Sequence, residues 1–137
     1  MPCTHHLSDP AVQPGQLDII LVPGPNPTTD FGPLKDATDW LAAHAARPET
    51  DILSVCTGIY VCGAAGLLKG RKACGPRGLQ GDLAKKFEGV EWVGDEVRWV
   101  RDGNFWSSGE FQFTSLPTYL PHGFVPFVKG LGARSRG

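Results

Sequence analysis

The sequence has no long apolar run, no block of like charge and no pair of cysteines at a metal-binding or redox spacing. No stretch approaches the roughly 18 apolar residues that a membrane span requires, so no membrane partner is expected. Thirteen basic and fourteen acidic residues leave a formal net charge of −1. A nucleic-acid partner would reward a basic patch, and none is present. The start, Met1 to His6, lacks a basic segment followed by an apolar one, so no secretory signal is read. The expected compartment is the cytosol, with reduced thiols. Cys3, Cys56, Cys62 and Cys74 match neither a zinc pattern nor Cys-x-x-Cys, and no metal or cofactor is expected. Cys56 and Cys62 fall six apart on one predicted helical segment, a poor geometry for a disulfide.

What is present describes one ordinary globular domain. The chain has 137 residues, 41% hydrophobic and 20% charged. Eighteen glycines and twelve prolines imply many turns. Residues 1–16 are mostly polar, with Pro2, Pro10, Pro14 and Gly15, and read as a flexible N-terminal segment. Residues 17–109 carry the periodic patterns of an α/β domain. Residues 110–137 contain Pro117, Pro121 and Pro126 with scattered aromatics, show no periodicity, and read as an irregular tail. There is no internal repeat.

Residues 17–22 form a nearly continuous apolar run, as expected of a strand buried on both faces of a parallel sheet. Pro23, Gly24, Pro25 and Pro27 end it in a loop. Leu34, Ala37, Trp40, Leu41 and Ala45 recur at helical spacing, predicting an amphipathic helix over 34–46 with His44 on its polar, solvated side. Residues 51–55 predict a second buried strand, and 57–68 a helix stopped by Gly70 as the C′ residue. A third short strand is expected at 72–74 and a helix at 79–87. Three short strands follow at 90–93, 97–100 and 104–108, the last two joined by an Asp102-Gly103 hairpin turn. The alternation predicts a doubly wound, flavodoxin-like parallel sheet with a small β-hairpin addition.

The informative segment runs from Asp51 to Tyr60. An apolar strand leads directly into Cys56, then Thr57, Gly58 and a helix of small residues. That is the layout of a nucleophile elbow, which lifts a side chain above the carboxyl edge of a sheet. Gly58 permits the tight turn. Unpaired N–H groups and the positive dipole end of the helix favour a thiolate at Cys56, and the thiolate is the nucleophile. The Thr57 N–H would point toward an oxyanion formed there. The Gly24 N–H, in the loop after the neighbouring strand, is the second candidate donor. The alternatives are a small buried cysteine at 56 and an ordinary loop at 24.

Ser54 to Gly58, followed by Ala64 to Arg71, is similar to the ThiJ/PfpI superfamily of glutamine-amidotransferase-like proteins. Leu21 to Gly24 resembles that family's strand and oxyanion loop. Glu91 to Val93 and Asp102 to Gly109 resemble its later strands. The match covers residues 17–109 and looks nearest to the branch containing isonitrile hydratase and many fungal proteins. The resemblance implies Cys56 as the elbow cysteine, framed by Gly24 and Thr57. It also implies a further strand-helix-strand unit bearing an acid that hydrogen-bonds the cysteine, and no such unit precedes Leu17. Family peptidases carry a His directly after the Cys, where this chain has Thr57. Many relatives carry Thr-His-Trp where this chain has Gly75-Pro76-Arg77. The expected closing helix is replaced by residues 110–137. The chain thus resembles a fragment lacking the family's N-terminal and C-terminal elements.

Pro25 and Arg77 are the candidate substrate contacts. Pro25 borders the loop and has no N–H. Arg77 would hold an anion or orient a carboxylate, a surface ion pair being the alternative. His5 and His6 read as a tail, and His122 falls in the irregular segment. Cys62 and Cys74 fit packing, and Trp92, Trp99 and Trp106 are expected to fill the core or an interface. Three functions compete. The first is a Cys56-dependent hydratase, lyase or hydrolase acting on a small electrophile such as an isonitrile or an α-oxoaldehyde. The second is a cysteine-based redox sensor or chaperone-like stress protein. The third is an inactive, incomplete domain. A homodimer is expected, although the incomplete domain would dimerise, aggregate or fold poorly.

Overall fold

The computed structural model describes residues 4–26 and 28–109; the predicted irregular tail, with His122, lies outside them. Among the described residues six strands form two sheets. β1 (Ile19–Val22) pairs in parallel with β2 (Asp51–Val55), and β2 pairs in parallel with β6 (Phe105–Ser108). β5 (Trp99–Asp102) pairs antiparallel with β6, giving the order β1-β2-β6-β5. β3 (Lys72–Ala73) and β4 (Glu91–Trp92) make a separate parallel pair. The main sheet is therefore mixed, not purely parallel. The reason is local: Gly103, at φ 62°, closes a tight hairpin that folds β5 back along β6.

Among the described residues three α-helices accompany the sheet: α1 (Lys35–Ala45), α2 (Gly58–Ala64) and α3 (Gln80–Lys86). α2 is shorter than its sequence suggests, because the chain turns left-handed at Gly66 (φ 79°), not first at Gly70. The Gly66 N–H donates to the Gly63 carbonyl and the Leu67 N–H to the Cys62 carbonyl, both at 3.0 Å. These are the two bonds of a Schellman cap, which satisfies carbonyls that the helix end leaves open.

Strand alternation divides the main sheet into two unlike faces. Ile20, Val22, Ile52 and Phe105 are buried on one face, in a single cluster with Leu41 of α1, Ile59, Tyr60 and Cys62 of α2, and Leu83 of α3. On the other face, Leu21, Leu53, Val55 and Trp106 remain half-buried and line an open trough of about 200 Å³ with Trp99. Among the described residues α1, α2 and α3 all contribute to the cluster on the first face, and the architecture is the expected α/β fold of the flavodoxin-like kind. Trp99 is 60% exposed and stacks on Trp106 with ring centroids 5.7 Å apart. It does not fill a core; Trp92 is half-buried against the cluster.

One further expectation is corrected. His44 is 0% exposed, not solvated. Residues 7–16 turn around a 3-10 segment (Pro10–Val12) capped by the Asp9 carboxylate. The His44 ring and the Trp40 indole both reach the Val12 carbonyl from α1, at 3.0 Å each.

Candidate active site

At the carboxyl end of β2 the backbone turns into the left-handed region. Cys56 has φ 55°, and among the described residues it is the one non-glycine residue with positive φ. Holding a residue with a Cβ there costs on the order of 1–3 kcal/mol, and such strain persists where the surroundings enforce it. The enforcing contacts are visible. The Cys56 N–H donates to the Ser108 carbonyl at 3.2 Å, tying the elbow to the end of β6. The Tyr60 N–H donates to the Thr57 carbonyl at 3.1 Å, starting α2 at once. Cys56 is half-buried and unbridged.

Two glycines allow this packing. A Cβ on Gly58 would overlap the Val22 carbonyl oxygen, so only glycine lets α2 start against the end of β1. A Cβ on Gly24 would overlap the Thr57 hydroxyl and lie 3.1 Å from the Thr57 nitrogen. The loop after β1 and the elbow after β2 therefore meet backbone to backbone. The Thr57 hydroxyl closes the contact by donating to the Pro25 carbonyl at 2.7 Å. The structure thus brings Gly24, Pro25, Cys56 and Thr57 together, with Gly24 exposed to solvent. Arg77 is exposed at the start of a 3-10 turn (Arg77–Leu79), beyond the buried Gly75 and Pro76. The Gly75 carbonyl packs against Gly109, just after β6, so this loop borders the same edge of the sheet.

Cys62 and Cys74 are the other thiols among the described residues. Burial pushes the Cys62 thiol up to about 12, against a smaller opposing effect of Ser54. Burial likewise pushes Cys74 up to about 11. Both are fully buried, as expected of packing residues. The His44 imidazole is held below its usual value, first by burial and then by Arg47, with the Val12 carbonyl opposing. It sits at the C-terminal end of α1. Among the described residues, no group of three His, Cys, Asp or Glu side chains is placed to hold a metal ion.

Sequence reasoning missed Gln80. Its buried amide donates to the Gly75 carbonyl at 2.7 Å and so fixes the loop that borders the elbow. No sequence pattern marks such a side chain, because its role is set by where the 3-10 turn folds the chain.

Comparison with known proteins agrees with this architecture. The family model of the DJ-1/PfpI family matches residues 1–115. The chain is 38% identical to an isonitrile hydratase of Pseudomonas putida over 96 residues, covering 68% of this chain and 39% of the relative. It is 32% identical to a deglycase of Pyrococcus horikoshii over 97 residues, 71% of this chain and 55% of the relative. The crystal structure of a DJ-1 superfamily protein from Salmonella typhimurium superposes with a TM-score of 0.54 at 29% identity, covering 88% of this chain and 57% of that one. The chain thus spans about two fifths to just over half the length of these relatives. No helix among the described residues is long and apolar enough to cross a membrane. The family match, spanning the strained cysteine and both glycine contacts, makes this chain a member of the DJ-1/PfpI family.

Proposed function

We propose that this chain uses Cys56 as a nucleophile toward a small electrophile, in chemistry of the isonitrile hydratase or deglycase kind. The observation that carries the reading is the strained φ of 55° at Cys56, held at the sheet's carboxyl edge between the Gly24 loop and Ser108. The Cys56 sulfur adds to the electrophilic carbon: an isonitrile carbon takes up the thiol's proton, and water then releases a formamide and the free thiol, whereas an α-oxoaldehyde adds to give a hemithioacetal with negative charge developing on its carbonyl oxygen. The Thr57 and Gly24 N–H groups stabilise that charge. Pro25 and Arg77 flank the substrate, Pro25 by fixing the loop and Arg77 by attracting an anionic group. An isonitrile hydratase and a deglycase are both similar to this chain, and both kinds of chemistry begin at a small electrophile.

The test is turnover of an isonitrile and of an α-oxoaldehyde by the purified chain and by Cys56→Ala. Loss of turnover in the variant supports the reading, and retained turnover removes it. A second reading, thiol-based redox sensing, draws on the contrast between half-buried Cys56 and the fully buried Cys62 and Cys74. Intact mass after mild peroxide separates the two. Selective oxidation at Cys56 without turnover of either substrate favours sensing.

A further inference from the structure

We propose that residues 7–16 form an acid-released strap, clasped to α1 at Val12 by Trp40 and the neutral His44 ring, and freed when His44 takes a proton on Nδ1. The strap is a folded unit in its own right. Asp9 caps it through the Ala11 N–H at 2.9 Å, and the Gln13 amide donates to the Leu7 and Asp9 carbonyls at 2.7 and 2.9 Å. The Val12 N–H donates to the Asp9 carbonyl at 3.1 Å and the Gln16 N–H to the Gln13 carbonyl at 2.9 Å. Two side chains of α1 reach the strap at a single carbonyl, while Gly15 lies against the Arg47 guanidinium. The Val12 carbonyl accepts from the Trp40 indole and from His44 Nε2, both at 3.0 Å. Trp40 and His44 stand one helical turn apart on α1, so their rings share a face, with centroids 4.3 Å apart. The strap ends in a natural hinge. Gly15 lies at φ 96°, and just past it the Leu17 carbonyl is fixed by the Thr50 hydroxyl at 2.9 Å. Beyond Leu17 the chain joins the sheet.

The clasp has a defined weak point. Since Nε2 faces a carbonyl, it carries the ring proton, and Nδ1 is the site left to titrate. Nδ1 is buried with no hydrogen-bond partner. A second proton there places a charge on an atom with nothing to receive it. The surrounding charges give no relief. Arg47, in the turn after α1, acts on the ring and disfavours its charged form. Its guanidinium pairs with Glu49 at 2.7 Å. On the strap, Asp9 is occupied at Ala11 and His6 is bonded to Ser8. At the adjoining strand starts stand Asp18 and Asp51, joined through the backbone. Lys35, Asp36 and Asp39 occupy the far end of α1.

The sign follows from burial. The docked ring binds its proton less readily than a free imidazole at 6.5, so the undocked state is protonated first. Docking is strongest above that value. It weakens as pH falls from 6.5 toward the value of the docked ring, by up to about tenfold per pH unit.

The experiment follows the backbone amide resonances of Val12 and Gly15 in the whole chain from pH 7.5 to 5.0, with the imidazole nitrogens of His44 recorded in the same samples. The expected result is a concerted shift of the strap amides to free-chain positions, tracking His44 protonation, while Ile52 and Phe105 keep their folded shifts. In His44→Gln the amide donates to Val12 without titrating, and the strap stays docked to pH 5.0. A wild-type strap still docked at pH 5.0 overturns the proposal. So does an acid release in His44→Gln matching that of the wild type. Should His44→Gln fail to fold, the wild-type data alone decide: strap amides that shift at a pH where the His44 nitrogens are unchanged also overturn it.

Discussion

The Thr57 hydroxyl donates to the Pro25 carbonyl at 2.7 Å across 32 residues of sequence. This bond closes the contact that Gly24 opens, and it makes the residue after the cysteine a tie between loop and elbow. Thr57→Val keeps the shape and removes the donor. The loss is expected to destabilise the chain by about 1 kcal/mol in urea unfolding. Amide exchange in residues 24–30 rises with it, and Thr57→Ser restores protection. Unchanged loop exchange in the valine variant shows that the hydroxyl does not hold the loop.

Gly58 and Gly81 provide a paired test of why glycine is used. A Cβ at Gly58 meets the Val22 carbonyl oxygen, whereas one at Gly81, in α3, meets nothing within 4 Å. Gly58→Ala should therefore cost about 1–3 kcal/mol by forcing β1 and α2 apart. Gly81→Ala should stabilise by about 0.4–1 kcal/mol, through a less flexible unfolded chain and better helix propensity. Denaturant midpoints read both. Equal effects of the same sign at the two positions contradict the close-approach account.

Residues 51–55 are readable as a strand because alternation and β-branching are local properties, and the structure returns β2 as Asp51–Val55. The turn at Cys56 is readable for a similar reason, since a buried strand meeting Cys, Thr and Gly leaves little room for a gradual bend. The antiparallel return of β5 is readable in the Asp102-Gly103 turn, but the pairing of β6 with β2, which brings that hairpin into the main sheet, is not. His44 is misplaced by its periodicity because the burial comes from Val12, 32 residues earlier. A histidine on the polar side of a helix is solvated only if nothing else in the chain covers it. The same limit hides Gln80, whose partner carbonyl depends on a fold in the preceding turn.

The thiols should divide sharply in reactivity. With Cys62 pushed up to about 12 and Cys74 up to about 11, roughly one in ten thousand and one in a thousand are thiolate at pH 8. Iodoacetamide on the folded chain at pH 8 should label Cys56 and spare both, as read by peptide mass mapping; full denaturation should make them equally reactive. The same burial sets a pH dependence. The folded values lie above the unfolded thiol's 9.0, so the stability these groups contribute is intact below that value. It is lost as pH rises above 9 toward the folded values, because the unfolded chain releases its protons first. Thermal unfolding between pH 8 and 10.5 should show the decline. Cys62→Ala should flatten it, and an unaltered slope in that variant assigns the decline to other groups.

Asn104 joins the β5–β6 hairpin to the end of α1. Its amide nitrogen faces three carbonyls, those of Ala45, Arg47 and Thr50, at 3.0, 3.0 and 2.9 Å. Its Oδ1 accepts from Arg71 at 3.3 Å. Two N–H groups are therefore shared among three acceptors, spread from the end of α1 to the residue before β2. Asn104→Ala removes the donors and is expected to cost about 2 kcal/mol. Asn104→Asp is nearly isosteric, yet at pH 7 it turns a carboxylate oxygen toward three carbonyl oxygens. It should be the more damaging change, despite a stronger bond to Arg71, because like-signed dipoles and an unrelieved charge add to the lost bonds. Lowering the pH to 4 should narrow the gap between the two variants, since a protonated carboxyl regains one donor. Thermal unfolding of both variants at pH 7 and pH 4 decides the matter. An aspartate variant as stable as the alanine one at pH 7 shows that the amide's shape, rather than its donors, holds the hairpin to α1.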